Sequence, residues 1–457
     1  MGILAFPKDP FRHNKDFMEV QLSQIIQDKI LASTDAPLPV LTRRDAILPA
    51  IKGKAMAVIG MRRAGKTSYL YQCRADLVAA GRTPSRLIYF NFEDERLGDM
   101  PVDQLHLIPD IQLRLFPEPA TEPVTLFLDE IQLVPGWETF IRRMLDTAGY
   151  EIFLSGSSAK LLSREIATSM RGRAWEITIH PFSFREFLRH HQQEIPTNPS
   201  ALTSRKATAL DHQFARYLEI GGFPEAQDLS TPERRQLLQG YIDVLLLRDV
   251  IERHQIANVT ALRWLVRRLL SSPASLFSVT KFAADMKSQG IAVGRETLYN
   301  YLSHIEDAFL LQTIPVATDS EKRRQVNPRK IYPADTALIP VFDRSGKANT
   351  GLLLETAVFI ELQRRHAEIS YVKTPGGYEV DFLARYPDAS EELIQVCASI
   401  DDPNTLAREV RALQDAASQY PHAKQLILTL ESRLPFPTVP TPIQVLPAWQ
   451  WMLTEKG

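Results

Sequence analysis

The chain has little cysteine, almost no net charge and no long apolar run. Its two cysteines, Cys73 and Cys397, are too few for a disulfide framework and fit a reducing compartment. The formal net charge is −1, so no overall positive field attracts nucleic acid or a membrane. No apolar run reaches about 18 residues and no signal core opens the chain, so we expect a cytoplasmic protein with no membrane partner. The histidines and cysteines lack metal-ligand spacing, which argues against a structural zinc site.

Short apolar runs alternate with amphipathic helices between residue 46 and about residue 185. These runs are Met56–Gly60, Arg86–Phe92, Val124–Asp129, Glu151–Ser155 and Trp175–Ile179. Strands interleaved with helices are typical of a parallel α/β sheet. The last run alternates apolar with polar residues, as an edge strand would. We therefore predict a parallel sheet of five strands in this region.

Residues 60–67 form a phosphate-binding motif. They match G-x-x-x-x-G-K-[ST] in every fixed position. An apolar strand precedes the motif and a helix follows it, so backbone N–H groups and a helix N-terminus favour an anion there. Lys66 is expected to reach the β- and γ-phosphates of ATP, and Thr67 to offer its hydroxyl to Mg²⁺. The predicted nucleotide-binding residues are Gly60, Met61, Arg62, Arg63, Ala64, Gly65, Lys66, Thr67 and Ser68.

The run Val124–Asp129 predicts a buried strand that ends in two acids, Asp129 and Glu130. Ligands bind at this end of the strands in open α/β sheets. Asp129 is expected to hold Mg²⁺, and Glu130 to polarise the water that attacks the γ-phosphate. The adjacent glutamate favours hydrolysis over transfer to an acceptor. The alternative is a strand that simply ends in surface acids.

The next strand leads into a serine-rich turn. One of Ser155, Ser157 and Ser158 could sense the γ-phosphate, with Ser157 as the candidate, or these serines could only cap a helix. Arg171 and Arg173 precede the edge strand. An arginine inserted by a neighbouring subunit can raise turnover by about 10³–10⁵. Taken alone, however, such a pair is more often an ordinary surface feature.

Several segments in order resemble the bacterial and archaeal AAA-type ATPases of the STAND-like branch. They are GMRRAGKTS, LIYFNFEDER, FLDEIQ, FLSGSS, MRGR, HPFSFREF, IGGFPEA, PRKIYPADTAL, GLLLETAVFIEL and GYEVDFLARY, which together span nearly the whole chain. The resemblance implies a P-loop NTPase core with a helical lid, a winged helix and a C-terminal domain like the PD-(D/E)XK nucleases. It also implies that Arg62 contributes to the nucleotide site, and that Arg171 or Arg173 acts as an arginine finger in an ATP-dependent homo-oligomer.

This domain order implies an α/β protein divided into five regions. They are an N-terminal helical arm over 1–45, the P-loop ATPase core over 46–200, a helical lid over 201–270, a winged helix over 271–345 and a nuclease-like domain over 346–457. A basic segment, Glu321–Lys330, follows the two helices of the predicted winged helix. Phosphate contacts from it would position DNA or RNA without reading sequence. The candidate contacts are Arg295, Lys322, Arg323, Arg324, Arg329 and Lys330. The alternative is a solvated loop on a domain that only connects its neighbours.

The C-terminal region carries most of a nuclease-like motif. In that fold a helix carries an acid, a strand carries aspartate and the next strand carries E/Q-x-K; here Glu355, Asp381 and Gln395 take these places. The lysine position is Cys397, which neither orients water nor balances charge at a scissile phosphate. We therefore expect an inactive nuclease-like domain that was retained for binding or assembly.

Three functions remain in competition at this point. The leading hypothesis is an ATP-hydrolysing switch or motor that acts on a bound partner, with DNA as one candidate. The second is a metal-dependent nuclease gated by ATP, which Cys397 disfavours. The third is a scaffold that hydrolyses ATP slowly and signals through its oligomeric state.

Overall fold

The computed structural model describes residues 10–47, 51–98, 100–117, 122–147, 149–156, 170, 172–342, 350–432 and 438–454. Two compact units make up the chain. The first comprises Met1–Gly60 and Lys66–Ile179, and the second comprises Met61–Gly65 and His180–Gly457. The five central residues of the phosphate-binding motif therefore belong, by their contacts, to the second unit. Among the described helices, none combines the length and hydropathy that crossing a bilayer requires.

Five parallel strands form the sheet of the first unit. They are β1 (Ala55–Ile59), β2 (Leu87–Asn91), β3 (Val124–Asp129), β4 (Tyr150–Gly156) and β5 (Ala174–Thr178). Their order is β2-β3-β4-β1-β5, and every neighbouring pair is parallel. Strands β1 and β3 are buried along their whole length, as strands covered on both faces must be. The predicted α/β class and its parallel core are confirmed, and β5 does lie at an edge.

The described part of the first unit contains the α-helices α1 (Pro10–Asp35), α2 (Lys66–Ala79), α3 (Leu107–Leu115) and α4 (Trp137–Asp146). Helix α1 packs against β2 and α3. It buries Leu22, Ile26 and Ile30, which recur every four residues on one helical face. Because this stripe is covered, the N-terminal segment is a packed part of the unit.

Eleven α-helices among the described residues belong to the second unit. They are α5 (Phe184–His190), α6 (Ser204–Ile220), α7 (Thr231–Leu245), α8 (Val259–Leu270), α9 (Val279–Ser288), α10 (Arg295–Asp307), α11 (Glu321–Val326), α12 (Leu338–Phe342), α13 (Thr350–Arg364), α14 (Pro403–Ala417) and α15 (Ala448–Leu453). A π-helix, Leu246–Glu252, continues α7. The basic segment 321–330 begins as helix α11.

Two sheets complete the second unit. The smaller is antiparallel, in the order β6-β8-β7, with β6 (Leu276–Phe277), β7 (Leu311–Ile314) and β8 (Arg329–Pro333). The larger is mixed, in the order β13-β12-β11-β10-β9, with β9 (Glu368–Lys373), β10 (Glu379–Arg385), β11 (Glu391–Cys397), β12 (Lys424–Thr429) and β13 (Gln444–Pro447). Strands β10 and β11 are antiparallel neighbours.

The predicted helical lid is divided between two hydrophobic cores. Helix α6 buries Phe214 and Leu218 in a core that it shares with α5, α13 and α15. Helices α7 and α8 contribute Ile242 and Leu265 to a different core, which contains the three-stranded sheet. The sequence does not predict this division. The apolar face of each helix shows that the helix is packed, but not which core it packs into.

Candidate functional site

The phosphate-binding motif joins β1 to α2 through a tight backbone turn. Gly60 has φ +144°, and a Cβ at this position would lie 2.3 Å from the carbonyl oxygen of Ile179. Only glycine fits such an approach. Lys66 is buried at the start of α2, where its Nζ donates a hydrogen bond to the Gly60 carbonyl oxygen at 3.1 Å. The ammonium is therefore held against the loop whose amides are expected to surround phosphate.

Asp129 collects three hydroxyl donors at the carboxyl end of β3. Thr67 Oγ1 donates to Asp129 Oδ2 at 2.9 Å, and Tyr89 OH donates to the same oxygen at 2.6 Å. Ser155 Oγ donates to Asp129 Oδ1. The aspartate is 1% exposed. The structure thus brings together the two predicted magnesium residues, Thr67 and Asp129, and their hard oxygen atoms suit that ion.

Tyr89 is a site residue that the sequence analysis missed. Burial, followed by the negative charge of Asp129, raises the pKa of its phenol above the ordinary value. The hydroxyl therefore keeps its proton and remains a donor to the carboxylate. No local signal in the sequence marks it, because its partner Asp129 is 40 positions away on another strand.

Glu130 occupies an unusual backbone conformation next to Asp129. Its φ is +56°, in the left-handed region, which costs a non-glycine residue about 1–2 kcal/mol. Strain of this kind clusters at functional sites. Gln132 donates its side-chain amide to the Glu130 carboxylate, and the Glu130 N–H donates to Ser155 Oγ at 3.3 Å. Burial raises the pKa of Glu130, an effect that the charge of Lys66 opposes, so its carboxylate is a better proton acceptor than a solvated one.

The central residues of the motif make their contacts within the second unit. Arg62 Nε donates to Asp249 Oδ2 at 2.7 Å, and Asp249 is buried on the π-helix. Met61 and Ala64 are buried in the core that contains α7 and α8. Single π-turns occur frequently at functional sites. Here the π-helix supplies the carboxylate that orients Arg62.

The structure describes only one of the candidates Ser157, Arg171 and Arg173. Ser157 and Arg171 lie outside the described residues. Arg173 pairs with Asp146, and its carbonyl oxygen accepts the N–H of Ala55 at the start of β1. It therefore lies at the amino end of the strands, whereas Asp129 closes β3 at the carboxyl end. Within one chain, Arg173 does not join the carboxylate site.

Five of the six candidate nucleic-acid contacts have exposed or half-buried side chains. They are Arg295, Lys322, Arg323, Arg324 and Arg329. Lys330 requires a correction. Its side chain is 3% exposed and points into a cluster of carboxylates, so it does not reach a nucleic acid. Its position on β8 turns it inward while Arg329 faces outward, because neighbouring strand residues point to opposite faces.

Lys330 lies at the centre of the nuclease-like residues. Its Nζ is 3.1 Å from Glu355 Oε1, 2.9 Å from Glu379 Oε1 and 2.9 Å from Asp381 Oδ1. Although burial lowers the pKa of this lysine, the carboxylates raise it further, so the ammonium stays charged. Tyr332 OH also donates to Glu355 Oε1 at 2.8 Å.

The structure brings three of the four nuclease-like residues together. Gln395 Oε1 accepts the Asp381 N–H at 3.4 Å, beside the Lys330 pairs with Asp381 and Glu355. Cys397 stays apart, with its thiol directed to the Ser399 carbonyl oxygen at 2.9 Å. The chain thus supplies a lysine to this cluster from β8, a position that the motif does not mark. Over the described ranges, no group of three or more acidic, histidine or cysteine residues could hold a metal ion.

Glu355 makes the stability of the protein depend on pH. Burial, followed by the charge of Asp381, raises its pKa from 4.5 to about 8, against the opposing charge of Lys330; Glu379 and Tyr332 face the same cluster. The folded state therefore binds this proton more tightly than the unfolded chain does. The resulting stabilisation is complete below pH 4.5 and is lost as the pH rises through about 8.

We accordingly expect Glu355 to lower the urea concentration at the unfolding midpoint of the wild-type protein as the pH rises from 4.5 to about 8. Glu355→Gln should remove this pH dependence, because the amide does not titrate. Parallel pH profiles for the two proteins would contradict the assignment.

Family models match two parts of the chain. Residues 52–188 match an AAA domain, and residues 211–347 match a domain of unknown function. The uncharacterized protein MJ1544 of Methanocaldococcus jannaschii is 33% identical over 447 residues, which cover 95% of this chain and 96% of that protein. An uncharacterized protein of Haemophilus influenzae is 28% identical over 346 residues, covering 76% of this chain and 82% of its own.

Among solved structures, a Walker-type ATPase of Pyrococcus abyssi is similar to this chain. It shares 14% sequence identity, and the alignment covers 70% of this chain and 95% of that one with a TM-score of 0.39. A likeness of this size bears on neither activity nor partners.

Proposed function

The chain belongs to the same family as MJ1544 of Methanocaldococcus jannaschii and carries an AAA-type P-loop ATPase domain, and from this premise we propose that it binds ATP with Mg²⁺ and hydrolyses it. The observation that carries this proposal is the environment of Asp129. Thr67, Tyr89 and Ser155 all donate hydroxyl hydrogen bonds to its carboxylate, and Glu130 follows it directly. This arrangement supports a magnesium carboxylate beside a catalytic base.

The residues divide the work of phosphoryl transfer among them. Lys66 neutralises charge on the β- and γ-phosphates. Thr67 and Asp129 would hold Mg²⁺, which would supply further positive charge to the phosphates. Glu130 accepts a proton from the attacking water as the oxygen–phosphorus bond forms and the bond to the ADP oxygen breaks. Gln132 orients the Glu130 carboxylate through its amide.

We further propose that hydrolysis operates a switch or motor on a bound partner, with a nucleic acid as the candidate. Helices α9 and α10, followed by β7 and β8, support a winged helix over the expected 271–345. Helix α11 occupies the connection where a wing lies, and it carries the exposed basic residues Lys322 and Arg323. Arg295 at the start of α10 is exposed as well. Contacts from these residues would be to phosphates and independent of sequence.

The C-terminal domain fits a non-cleaving role in this proposal. Lys330 already pairs with Glu355 and Asp381, so the acids that would hold a metal are neutralised by the chain itself. The gated-nuclease alternative is therefore the weaker one. The scaffold alternative uses the same ATPase residues as the switch or motor, but its ATP turnover would be slower.

Phosphate release by the purified full-length protein tests this function. We expect turnover of ATP that requires Mg²⁺, is abolished by EDTA and increases when double-stranded DNA is added. Slow turnover that ignores both DNA and RNA would favour the scaffold. Absence of Mg²⁺-dependent hydrolysis under all of these conditions would remove the proposed function.

A further inference from the structure

A cavity of about 540 Å³ lies in the first unit, beside the sheet and away from the phosphate-binding motif. Helix α1 and the residues after it form one wall, α2 forms a second, and the end of β2 forms the third. Three basic side chains reach it, those of Lys29, Arg74 and Arg96. The two tyrosines Tyr71 and Tyr89 line it as well.

Arg74 is the unusual member of this lining. The residue is 4% exposed, and its hydrogen bond to a described partner goes to the backbone carbonyl oxygen of Ser33. Its Nε has no hydrogen-bond partner, and no carboxylate within the described ranges forms an ion pair with it. Burial lowers its pKa, but a guanidinium keeps its proton in proteins. A buried cation without an anion is costly, so the site is built to receive a negative charge from elsewhere.

The other two cations leave the cavity with an excess of positive charge. Lys29 and Arg96 share one carboxylate, that of Asp94, at 2.7 and 2.8 Å. Hydrogen bonds from Arg96 and Lys29 hold the pKa of Asp94 below its usual range, so this acid stays ionised. Two of the three cations that reach the cavity thus share a carboxylate, whereas Arg74 has none among the described residues. An anionic ligand would improve this balance and a cationic one would worsen it.

The rest of the lining is aromatic and apolar. The ring centroids of Tyr71 and Tyr89 lie 4.6 Å apart at 31°. Ala32 on α1 and Ala36 and Pro37 just after it add small apolar side chains to the lining. Aromatic faces and small apolar side chains suit a flat ring more than a sugar or a hydrated ion.

We propose that this cavity binds a small ligand that combines a flat aromatic ring with a phosphate or carboxylate group, whose anion pairs with Arg74. The site is additional to the proposed ATP site, because none of its lining residues belongs to the phosphate-binding motif. The two sites share only Tyr89, whose ring lines the cavity while its hydroxyl donates to Asp129. A ligand in the cavity therefore lies one side chain away from the magnesium carboxylate.

Phenyl phosphate is the probe that tests the proposal. Calorimetric titration is carried out on the full chain saturated with ADP and Mg²⁺, so that the phosphate-binding motif is already filled. We expect saturable binding that weakens about tenfold or more in Arg74→Met, which loses a charge-assisted pair. Phenol, which lacks the anion, should bind at least tenfold more weakly than phenyl phosphate.

Two further variants make the result decisive. Ala32→Phe keeps every charge but fills the cavity, so it should also abolish binding. Arg143→Met removes an exposed arginine from α4, outside the cavity, and should bind the probe like the wild type. If Arg74 is a ligand residue, Arg74→Met should melt no lower than the wild type without ligand, because the variant removes an unpaired buried charge.

Equal affinity in Arg74→Met and Arg143→Met, or no binding of phenyl phosphate by the wild type, would overturn the proposal. If Arg74→Met fails to fold, Ala32→Phe still tests the proposal, since wild-type affinity in that variant would overturn it. The titration measures binding and needs no turnover. It therefore tests the cavity even if the protein does not hydrolyse ATP.

Discussion

Replacement of Glu130 by glutamine is expected to lower kcat for ATP hydrolysis by about 10²–10⁴, the range that a general base contributes. Glutamine retains the shape of the side chain and the contact with Gln132, but it does not accept a proton from water. Binding of ATP should survive, because Lys66, Thr67 and Asp129 are unchanged. The variant should therefore hold ATP without releasing phosphate, which filter binding and phosphate release measure together.

Lys66→Ala should abolish nucleotide binding, in contrast to Glu130→Gln, which should lower only turnover. It removes the ammonium that faces the β- and γ-phosphates, so nucleotide binding itself should disappear. Glu138→Gln is the matched control, since this half-buried glutamate lies on α4 away from Asp129. Wild-type turnover in Glu130→Gln would show that another group activates the water. Lost binding in Glu130→Gln would instead point to a role in holding nucleotide.

Replacement of Lys330 by methionine is expected to destabilise the protein by about 3–5 kcal/mol, the cost of removing one partner from a buried ion pair. Methionine fills a similar volume but leaves Glu355, Glu379 and Asp381 facing one another without a cation. Urea unfolding well above pH 8, where Glu355 is ionised in the wild type, should show the full loss. At pH 5 the loss should be smaller, because Glu355 is then protonated and only Glu379 and Asp381 lose a charge partner.

Two controls separate charge from volume in this experiment. Lys322→Met removes an exposed lysine from α11 and should change the unfolding free energy by less than about 0.5 kcal/mol. The double variant Lys330→Met, Glu355→Gln should recover part of the loss, because the two residues are in contact and their effects are not additive. A simple sum of the two single effects would mean that the ion pair contributes little.

Elements with a local signal were predicted well from the sequence. The run Val124–Asp129 is strand β3 residue for residue, and the runs Met56–Gly60 and Trp175–Ile179 overlap β1 and β5. Buried parallel strands show as continuous apolar runs, and amphipathic helices show their period, so neither needs knowledge of distant contacts. The motif at 60–67 is equally local, since one turn brings Gly60 and Lys66 together.

Residues whose partners are distant in sequence were missed or misplaced. Arg62 and Asp249 are separated by 187 positions, and Lys330 and Asp381 by 51. A charge pattern identifies Lys330 as basic but not as buried, because the face of a short strand is decided by what packs against it. Tyr89 falls in the same class, since a half-buried tyrosine in an apolar run looks like any other strand residue.

The position of Lys330 has a consequence for how this chain could change in evolution. The lysine lies on β8, before residue 345, whereas Glu355 and Asp381 lie after it. A gene rearrangement that replaced or deleted everything beyond the helix after β8 would leave a charged lysine with no acid to neutralise it. We therefore expect descendants that lack the chain beyond that helix to carry an uncharged residue at this position. Lysine and its acids should be inherited or lost together, which makes the stretch between β8 and α13 a poor point for exchanging parts of the chain.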